Sequence, residues 1–181
     1  MNNMKNWKKY QKDTSVYFAK NVGRFLSLTK KKLEFIKKNQ NLFYLKSRIC
    51  THTSNKDKVH EMIIFHKKNA YVHPHRHVNK LESFHLISGK ATIIFFDNNG
   101  KPNNILKMGD YKSGKTFYYK IFKSFFHTIL IEEDVLFHEV TSGPFLKNET
   151  IYAKWAPDQK NKEEANKYLL KLKKIAKRTS F

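Results

Sequence analysis

The sequence predicts an all-β domain, a sandwich or barrel of short strands followed by a C-terminal helix. Between residues 42 and 140, seven segments of five to eight residues are rich in Ile, Val, Phe, Tyr and Thr, and turn-forming residues separate them. The strongest turn signal is the run 97–100 (Asp-Asn-Asn-Gly), because Asn and Gly tolerate the positive φ of tight hairpins. Many short strands with few helices between them favour a sandwich or barrel.

The predicted strands are Leu42–Ile49, Val59–Phe65, Glu82–Ile87, Ala91–Phe96, Thr116–Phe122, His127–Ile131 and Val135–Val140. Before them, Leu33 and Ile36 follow Thr29 at helical spacing and predict a short helix. After them, Asn161 and Glu164 stand at capping-box spacing and predict the start of the C-terminal helix. Its apolar stripe should pack against the barrel or a second subunit, with binding to a membrane surface as a further possibility. The stripe consists of Ala165, Tyr168, Leu169, Leu172, Ile175 and Ala176.

These patterns divide the chain into three parts. We expect a basic extension with a short helix over 1–41, a β-barrel over 42–157 and an amphipathic helix over 158–181. The net charge of +21 is concentrated on the flanks, with +11 in residues 1–50 and +5 in residues 158–181. Such flanks are typical of a solvated basic surface, and they also suit a small anionic substrate. The sequence lacks a helix-turn-helix pattern and an RNA-reading aromatic motif, so we expect no specific nucleic-acid partner.

The compartment predicted from the sequence is the cytoplasm. Cys50 is the only cysteine, so an internal disulfide is impossible. We find no apolar run typical of a signal peptide, and no stretch is long enough to span a bilayer.

The segment from His75 to Gly89 carries the clearest chemical signal. Alternate residues of a strand share a face, so His75 and His77 point the same way. A turn through Asn79 and Lys80 would bring the chain back alongside, so that Glu82 faces the two imidazoles from the neighbouring strand. Two imidazoles and a carboxylate on an inward face suit a divalent transition metal, for which Fe, Zn, Ni and Mn are all compatible.

A fourth ligand should come from a later strand. His127 is the favoured candidate, because Phe125, Ile129 and Ile131 share its parity and that face should be interior. His138 is the alternative, and His127 could instead be a hydrogen-bonded core histidine. With three neutral imidazoles and one carboxylate around a divalent ion, the site as a whole would have a net charge of +1.

The spacing HxH, four residues, Glu, six residues, Gly is the first cupin motif. Among cupins the sequence most resembles the WbuC family of cupin-fold metalloproteins, over about residues 42–175. The matching pieces include 71–72, 74–77, Glu82, Gly89, 96–97, Gly100, His127, 139–140, 143–145 and 155–157. The sequence departs from the pattern at Asn69, where glycine is usual, and at Phe122 and Ser124 in the second motif.

This resemblance implies a double-stranded β-helix, a bound metal and a role among enzymes of bacterial O-antigen, lipopolysaccharide or other surface-polysaccharide synthesis. We expect a sugar or sugar-nucleotide ligand and either an isomerase, epimerase or oxygenase reaction; the alternative is a non-catalytic sugar-binding or sensing module. Cupins commonly pair through their barrels, so we also predict a homodimer. The residues predicted to contact substrate are Arg48, Tyr71, His73, Tyr119 and Lys120.

Overall fold

The structure, a computed structural model, describes residues 7–10, 15–20 and 22–178. The strands are β1 (Trp7–Lys9), β2 (Val16–Ala19), β3 (Lys46–Cys50), β4 (Val59–His66), β5 (His75–His77), β6 (Glu82–Ser88), β7 (Lys90–Phe96), β8 (Pro102–Gly109), β9 (Tyr118–Ile121), β10 (Phe126–Ile131), β11 (Val135–Ser142) and β12 (Thr150–Tyr152). The α-helices are α1 (Lys30–Lys38) and α2 (Lys162–Arg178), and two 3₁₀ turns cover Tyr111–Ser113 and Lys147–Glu149.

The described strands form two facing sheets. The first has the order β1-β2-β3-β4-β11-β6-β9 and the second the order β12-β5-β10-β7-β8. Only β2 and β3 pair in parallel; the other described pairs are antiparallel. From β4 onward the chain passes repeatedly from one sheet to the other, with only β7 and β8 adjacent in the same sheet. This winding is the double-stranded β-helix of the cupin fold, as predicted.

The space between the sheets holds the main core. On β4, Met62 and Ile64 point into it, whereas Phe65 belongs to a separate cluster on the outer face of the first sheet. On β10, Ile129 and Ile131 point inward, and the alternate residues pack outward. The period-2 alternation of the strands therefore divides their side chains between the barrel interior and two outer layers.

The two helices cover the two outer faces. Ile36 of α1 is fully buried against the outer face of the first sheet, where the Ser47 hydroxyl donates a hydrogen bond to the Ile36 carbonyl. The stripe of α2 packs on the outer face of the second sheet, where Leu169 and Leu172 join Phe96 and Leu130 in one cluster. Thus α2 uses its apolar face within the chain. The homodimer stays a prediction.

All seven predicted strands have counterparts, and both predicted helices are present. The apolar pattern did not reveal β1, β2, β8 and β12, and β5 was predicted only through the spacing of His75 and His77. The β8 strand is a partly exposed edge strand with Pro, Asn and Lys, so it lacks apolar alternation; β5 and β12 have only three residues each. Parts of the predicted extension (1–6, 11–14 and 21) lie outside the described residues.

Within the described part of the chain, no helix is both long enough and apolar enough to cross a lipid bilayer.

Candidate metal centre

The four predicted ligands come from both sheets and meet at one end of the barrel. His75 and His77 lie on β5, and His127 lies on the adjacent β10, directly opposite His75 in register. Glu82 begins β6 in the facing sheet. The expectation that Glu82 would lie on a strand beside the two histidines was therefore wrong. The segment 78–81, with Asn79 at φ 60°, carries the chain across the barrel, so Glu82 faces the imidazoles from the opposite wall.

The distances within this group are short. The Glu82 carboxylate lies 3.2 Å from His77 Nε2 and 3.6 Å from His127 Nε2, each measured from a different carboxylate oxygen. The ring centroids of His75 lie 5.0 Å from His77 and 4.7 Å from His127. Glu82 and His127 are both buried, with 5% and 2% of their surface exposed. The structure therefore brings together all four predicted ligands.

Each imidazole is oriented through its Nδ1 atom. His75 Nδ1 donates to the carbonyl of His73 at 2.9 Å, and His127 Nδ1 donates to the carbonyl of Phe125 at 3.0 Å. Because a carbonyl only accepts, these bonds place the proton on Nδ1 and leave Nε2 of the neutral ring with a free lone pair. His77 Nδ1 lies 3.1 Å from the Thr150 hydroxyl. Partners of this kind hold metal-ligating histidines in position.

The electrostatics of the group favour a cation among these donors. Burial alone would raise the pKa of Glu82, but His127 and His77 outweigh it and hold that pKa below its usual range. Burial alone would lower the pKa of His127, but Glu82 raises it above the ordinary value. Burial, with the two other imidazoles, lowers the pKa of His75 to about 3. His75 is thus neutral at neutral pH, the form in which imidazole binds metals.

The donor atoms of these four residues could hold one small ion if the side chains moved slightly. A cavity of about 10 Å³ touches His77, Glu82 and His127, which is about the space of one water molecule. Two donors about 2.1 Å from an ion and at right angles to each other lie about 3.0 Å apart, close to the 3.2 Å between His77 Nε2 and Glu82. Among the described residues, no group of three or more His, Cys, Asp or Glu side chains already meets the geometry needed to hold a metal. An ion would therefore have to draw the imidazoles inward.

Sequence reasoning missed a second carboxylate in the barrel. Glu139 on β11 shares the inward face of Phe137 and lies opposite Phe84 of β6 in register. Burial and then the charge of Glu82 raise the pKa of Glu139 to about 8, while Arg48 and His127 act in the opposite direction. Arg48 Nη1 contacts Met62 Sδ at 3.7 Å on the same inner wall. The barrel thus contains a second acid–base group beside the candidate metal centre.

The alternative ligand His138 lies on β11 between Phe137 and Glu139, so its side chain leaves the opposite face of the strand. In the sequence, the only signal against His138 as a ligand is this alternation of side chains along the strand. Because Leu136 is also buried, on the outer side of the sheet, the apolar pattern of β11 does not tell inside from outside.

The residues predicted to contact substrate are spread over different surroundings. The Tyr119 hydroxyl lies 3.4 Å from Glu82 Oε1, inside the candidate centre. Tyr71 is in the cluster under α2 and donates to the Pro157 carbonyl, and His73 Nε2 lies 3.0 Å from the Ala153 carbonyl. Lys120 lines an open cavity of about 530 Å³ next to the centre. The other residues of this cavity, which sequence reasoning did not select, are Phe95, Asn103, Asn104, Ile121, Phe122, Lys123 and Phe125.

Fold and site together define a cupin-fold protein with a His₃Glu cluster at one end of its barrel. In comparisons of sequence, a model of a domain of unknown function, DUF6016, matches residues 34–108. This range includes His75, His77 and Glu82 but ends before His127. No curated protein matches the sequence significantly.

Among the solved structures to which the chain is similar are proteins from three bacteria. The capsular polysaccharide assembling protein CapF from Staphylococcus aureus has a TM-score of 0.47 and 20% identity over 60% of this chain and 32% of that chain. Oxalate decarboxylase from Bacillus subtilis has a TM-score of 0.45 and 20% identity over 59% of this chain and 27% of that chain. Protein SO0799 from Shewanella oneidensis has a TM-score of 0.49 and 12% identity over 74% of this chain and 85% of that chain. The chain thus spans about a third of the length of CapF.

Proposed function

We propose that the protein is a cupin metalloprotein that binds one divalent metal ion through His75, His77, Glu82 and His127. The observation that carries this proposal is that His77 and His127 lie within 3.6 Å of one buried carboxylate, with the His75 ring beside both and with Nδ1 of His75 and His127 bound to backbone carbonyls. When neutral, the His127 ring held in this way turns the lone pair of Nε2 toward a carboxylate that also carries lone pairs. Only a cation or a proton stabilises such an arrangement.

A divalent ion bound by these four residues would act as a Lewis acid toward a coordinated oxygen and would acidify bound water, because the site keeps a net charge of +1. Fe, Zn, Ni and Mn all accept imidazole and carboxylate donors, so the ligand set does not select among them. Of the chain's own residues, Tyr119 is placed to hold Glu82 in position. Glu139, whose pKa is raised to about 8, is placed to store or release a proton inside the barrel.

For the substrate, we propose a sugar or sugar nucleotide of bacterial O-antigen or other surface-polysaccharide synthesis. Two observations support this choice. The motif from His75 to Gly89, with its matching pieces downstream, resembles the WbuC family. The 530 Å³ cavity beside the centre contains Lys120 and Lys123, whose charge suits a phosphorylated sugar.

The metal is tested by elemental analysis of protein purified without an affinity tag. We expect about one equivalent of a divalent metal in the wild type and a near-complete loss in the double variant His75→Ala/His77→Ala. The matched control is His85→Ala/His138→Ala, which removes two imidazoles from β6 and β11 outside the cluster. Equal metal content in the two double variants would contradict the proposed ligands.

The reaction is tested by incubating metal-loaded protein with a panel of nucleotide sugars. We expect turnover that stops on chelation and returns when the metal is restored. A fully loaded protein that is stabilised against heat by a sugar nucleotide, without forming product, would instead be a non-catalytic sugar-binding module.

A further inference from the structure

The larger cavity adjoins the small cavity of the candidate metal centre. Ile121, Lys123 and Phe125 line both of them. The larger cavity lies between the edge strands of the two sheets, with Asn103 and Asn104 on β8 and Lys120 on β9. Its volume of about 530 Å³ is in the range of small-molecule binding sites. A ligand in this cavity could therefore extend into the centre.

The charge of the larger cavity is one-sided. The eight described residues that line it include Lys120 and Lys123 but no Asp or Glu. Neither lysine forms an ion pair with any residue that the structure describes. Lys80 at the small cavity differs, because its Nζ lies 3.5 Å from Glu149 Oε2 and donates to the Pro144 carbonyl. Two lysine charges thus remain available to an anionic ligand.

Aromatic side chains stand beside these lysines. Phe122 is 71% exposed and Phe125 is 45% exposed, although both line a cavity next to buried residues. Lys120 Nζ lies 5.2 Å from the Phe122 ring centroid. An exposed phenylalanine offers a flat apolar face on which a heteroaromatic ring can stack. The asparagine amides on β8 add donors and acceptors for the polar edge of such a ring.

We propose that this cavity binds a nucleoside diphosphate, with the base against Phe122 and Phe125 and the diphosphate on Lys120 and Lys123. The group attached beyond the diphosphate then extends past Lys123 toward His77 and Glu82. Only this last step rests on the proposed function; binding of the nucleotide itself does not need the metal. Lys120 and Lys123 are thus specificity residues for the phosphate part of the ligand.

The test is calorimetric titration of the full-length protein with uridine diphosphate, uridine and inorganic phosphate. We expect uridine diphosphate to bind more tightly than either fragment. Lys120→Ala/Lys123→Ala should weaken it by about tenfold or more, because two charge-assisted contacts are lost. The matched control is Lys171→Ala/Lys174→Ala, which removes the same charge from the exposed side of α2. Phe122→Ala should weaken uridine diphosphate but leave inorganic phosphate unchanged.

The metal-site variant separates this inference from the proposed function. His75→Ala/His77→Ala should keep its affinity for uridine diphosphate even if no metal is ever found. Equal affinity in the two lysine double variants, or no binding of uridine diphosphate at millimolar concentration, would overturn the inference. Uridine diphosphate that binds no better than inorganic phosphate would overturn the role of the aromatic residues.

Discussion

His75 and His127 lie directly opposite each other on neighbouring antiparallel strands, with their ring centroids 4.7 Å apart. Each ring donates through Nδ1 to a backbone carbonyl two residues earlier in the chain, His73 for His75 and Phe125 for His127. The backbone segments just before β5 and just before β10 therefore hold these two rings in the same way. His77 differs, because its Nδ1 partner is the side chain of Thr150 on β12.

This difference makes Thr150 a sensitive test of the metal centre. Thr150→Val removes the hydroxyl that positions His77 but keeps the shape of the side chain. We expect metal affinity to fall by about 10- to 100-fold, the usual effect of losing a partner of a ligating histidine. Competition with a chelator of known affinity measures the change. Thr116→Val makes the same chemical change in the loop before β9 and should leave metal affinity unaltered; similar losses in both variants would count against the role of Thr150.

The raised pKa of Glu139 leads to a prediction about how the stability of the protein depends on pH. This pKa is raised from about 4.5 to about 8, first by burial and then by Glu82, so between these values the folded state holds a proton that the unfolded state releases. The stability contributed by Glu139 is therefore present below about pH 4.5 and is lost as the pH rises toward 8. Glu139→Gln mimics the protonated form and avoids this loss.

In metal-free protein we thus expect Glu139→Gln to match the wild type near pH 4.5 and to be more stable above pH 8, by about 1–3 kcal/mol. Urea denaturation at both pH values measures the difference. Glu132→Gln on the exposed turn before β11 is the control and should show no such trend. A constant difference between the Glu139 variant and the wild type at all pH values would contradict the assignment.

Sequence patterns predicted which side chains meet at the candidate centre better than they predicted its surroundings. The two-residue spacing of His75 and His77 fixes one face of a strand, so the direction of their side chains followed without knowledge of the fold. The orientation of β11 did not follow, because both its faces are covered: Phe137 by the barrel core and Leu136 by the layer under α1. Alternation tells inside from outside only where one face meets water.

The larger cavity was not predictable for a related reason. It is lined by the exposed loop 122–125 and by an edge strand, and in neither do apolar residues recur at a regular spacing.

At Asn69 the sequence departs from the glycine that is usual in the cupin pattern, yet this departure is compatible with the structure. The φ of 65° at this residue lies in the left-handed region, where Gly is favoured and Asn is tolerated. A single sequence reports local geometry well and reports surfaces formed by distant segments poorly.

Gly89 connects the two sheets at the turn from β6 to β7. Its backbone conformation and its close neighbours lead to a prediction about stability. Its φ is 91°, and a Cβ built on it would lie 2.2 Å from the carbonyl oxygen of Asp134. Gly89→Ala should therefore destabilise the protein by about 3 kcal/mol or more, through both backbone strain and a backbone clash. Gly114 has a φ of 70° but nothing within 4 Å of the added Cβ. Gly114→Ala should cost only about 1–2 kcal/mol, and equal losses in denaturant titrations would show that the clash is relieved.

The last prediction concerns the packing of α2 and its contribution to the free energy of unfolding. Leu172 is 1% exposed in the cluster with Phe96 and Leu130, whereas Leu170 on the other side of the helix is 59% exposed. Leu172→Ala should lower the free energy of unfolding by about 2–5 kcal/mol, because it leaves a cavity between α2 and the second sheet. Leu170→Ala should change it by less than about 0.5 kcal/mol.

Sedimentation of both leucine variants distinguishes this packing from a subunit interface. If α2 packs on its own barrel, Leu172→Ala destabilises the chain to the same extent at low and high protein concentration, and its sedimentation matches that of the wild type. If the stripe joined two subunits instead, the loss would grow on dilution, because the free energy of folding would then include association. Because the apolar face of α2 packs within the chain, we expect the predicted homodimer to use another surface.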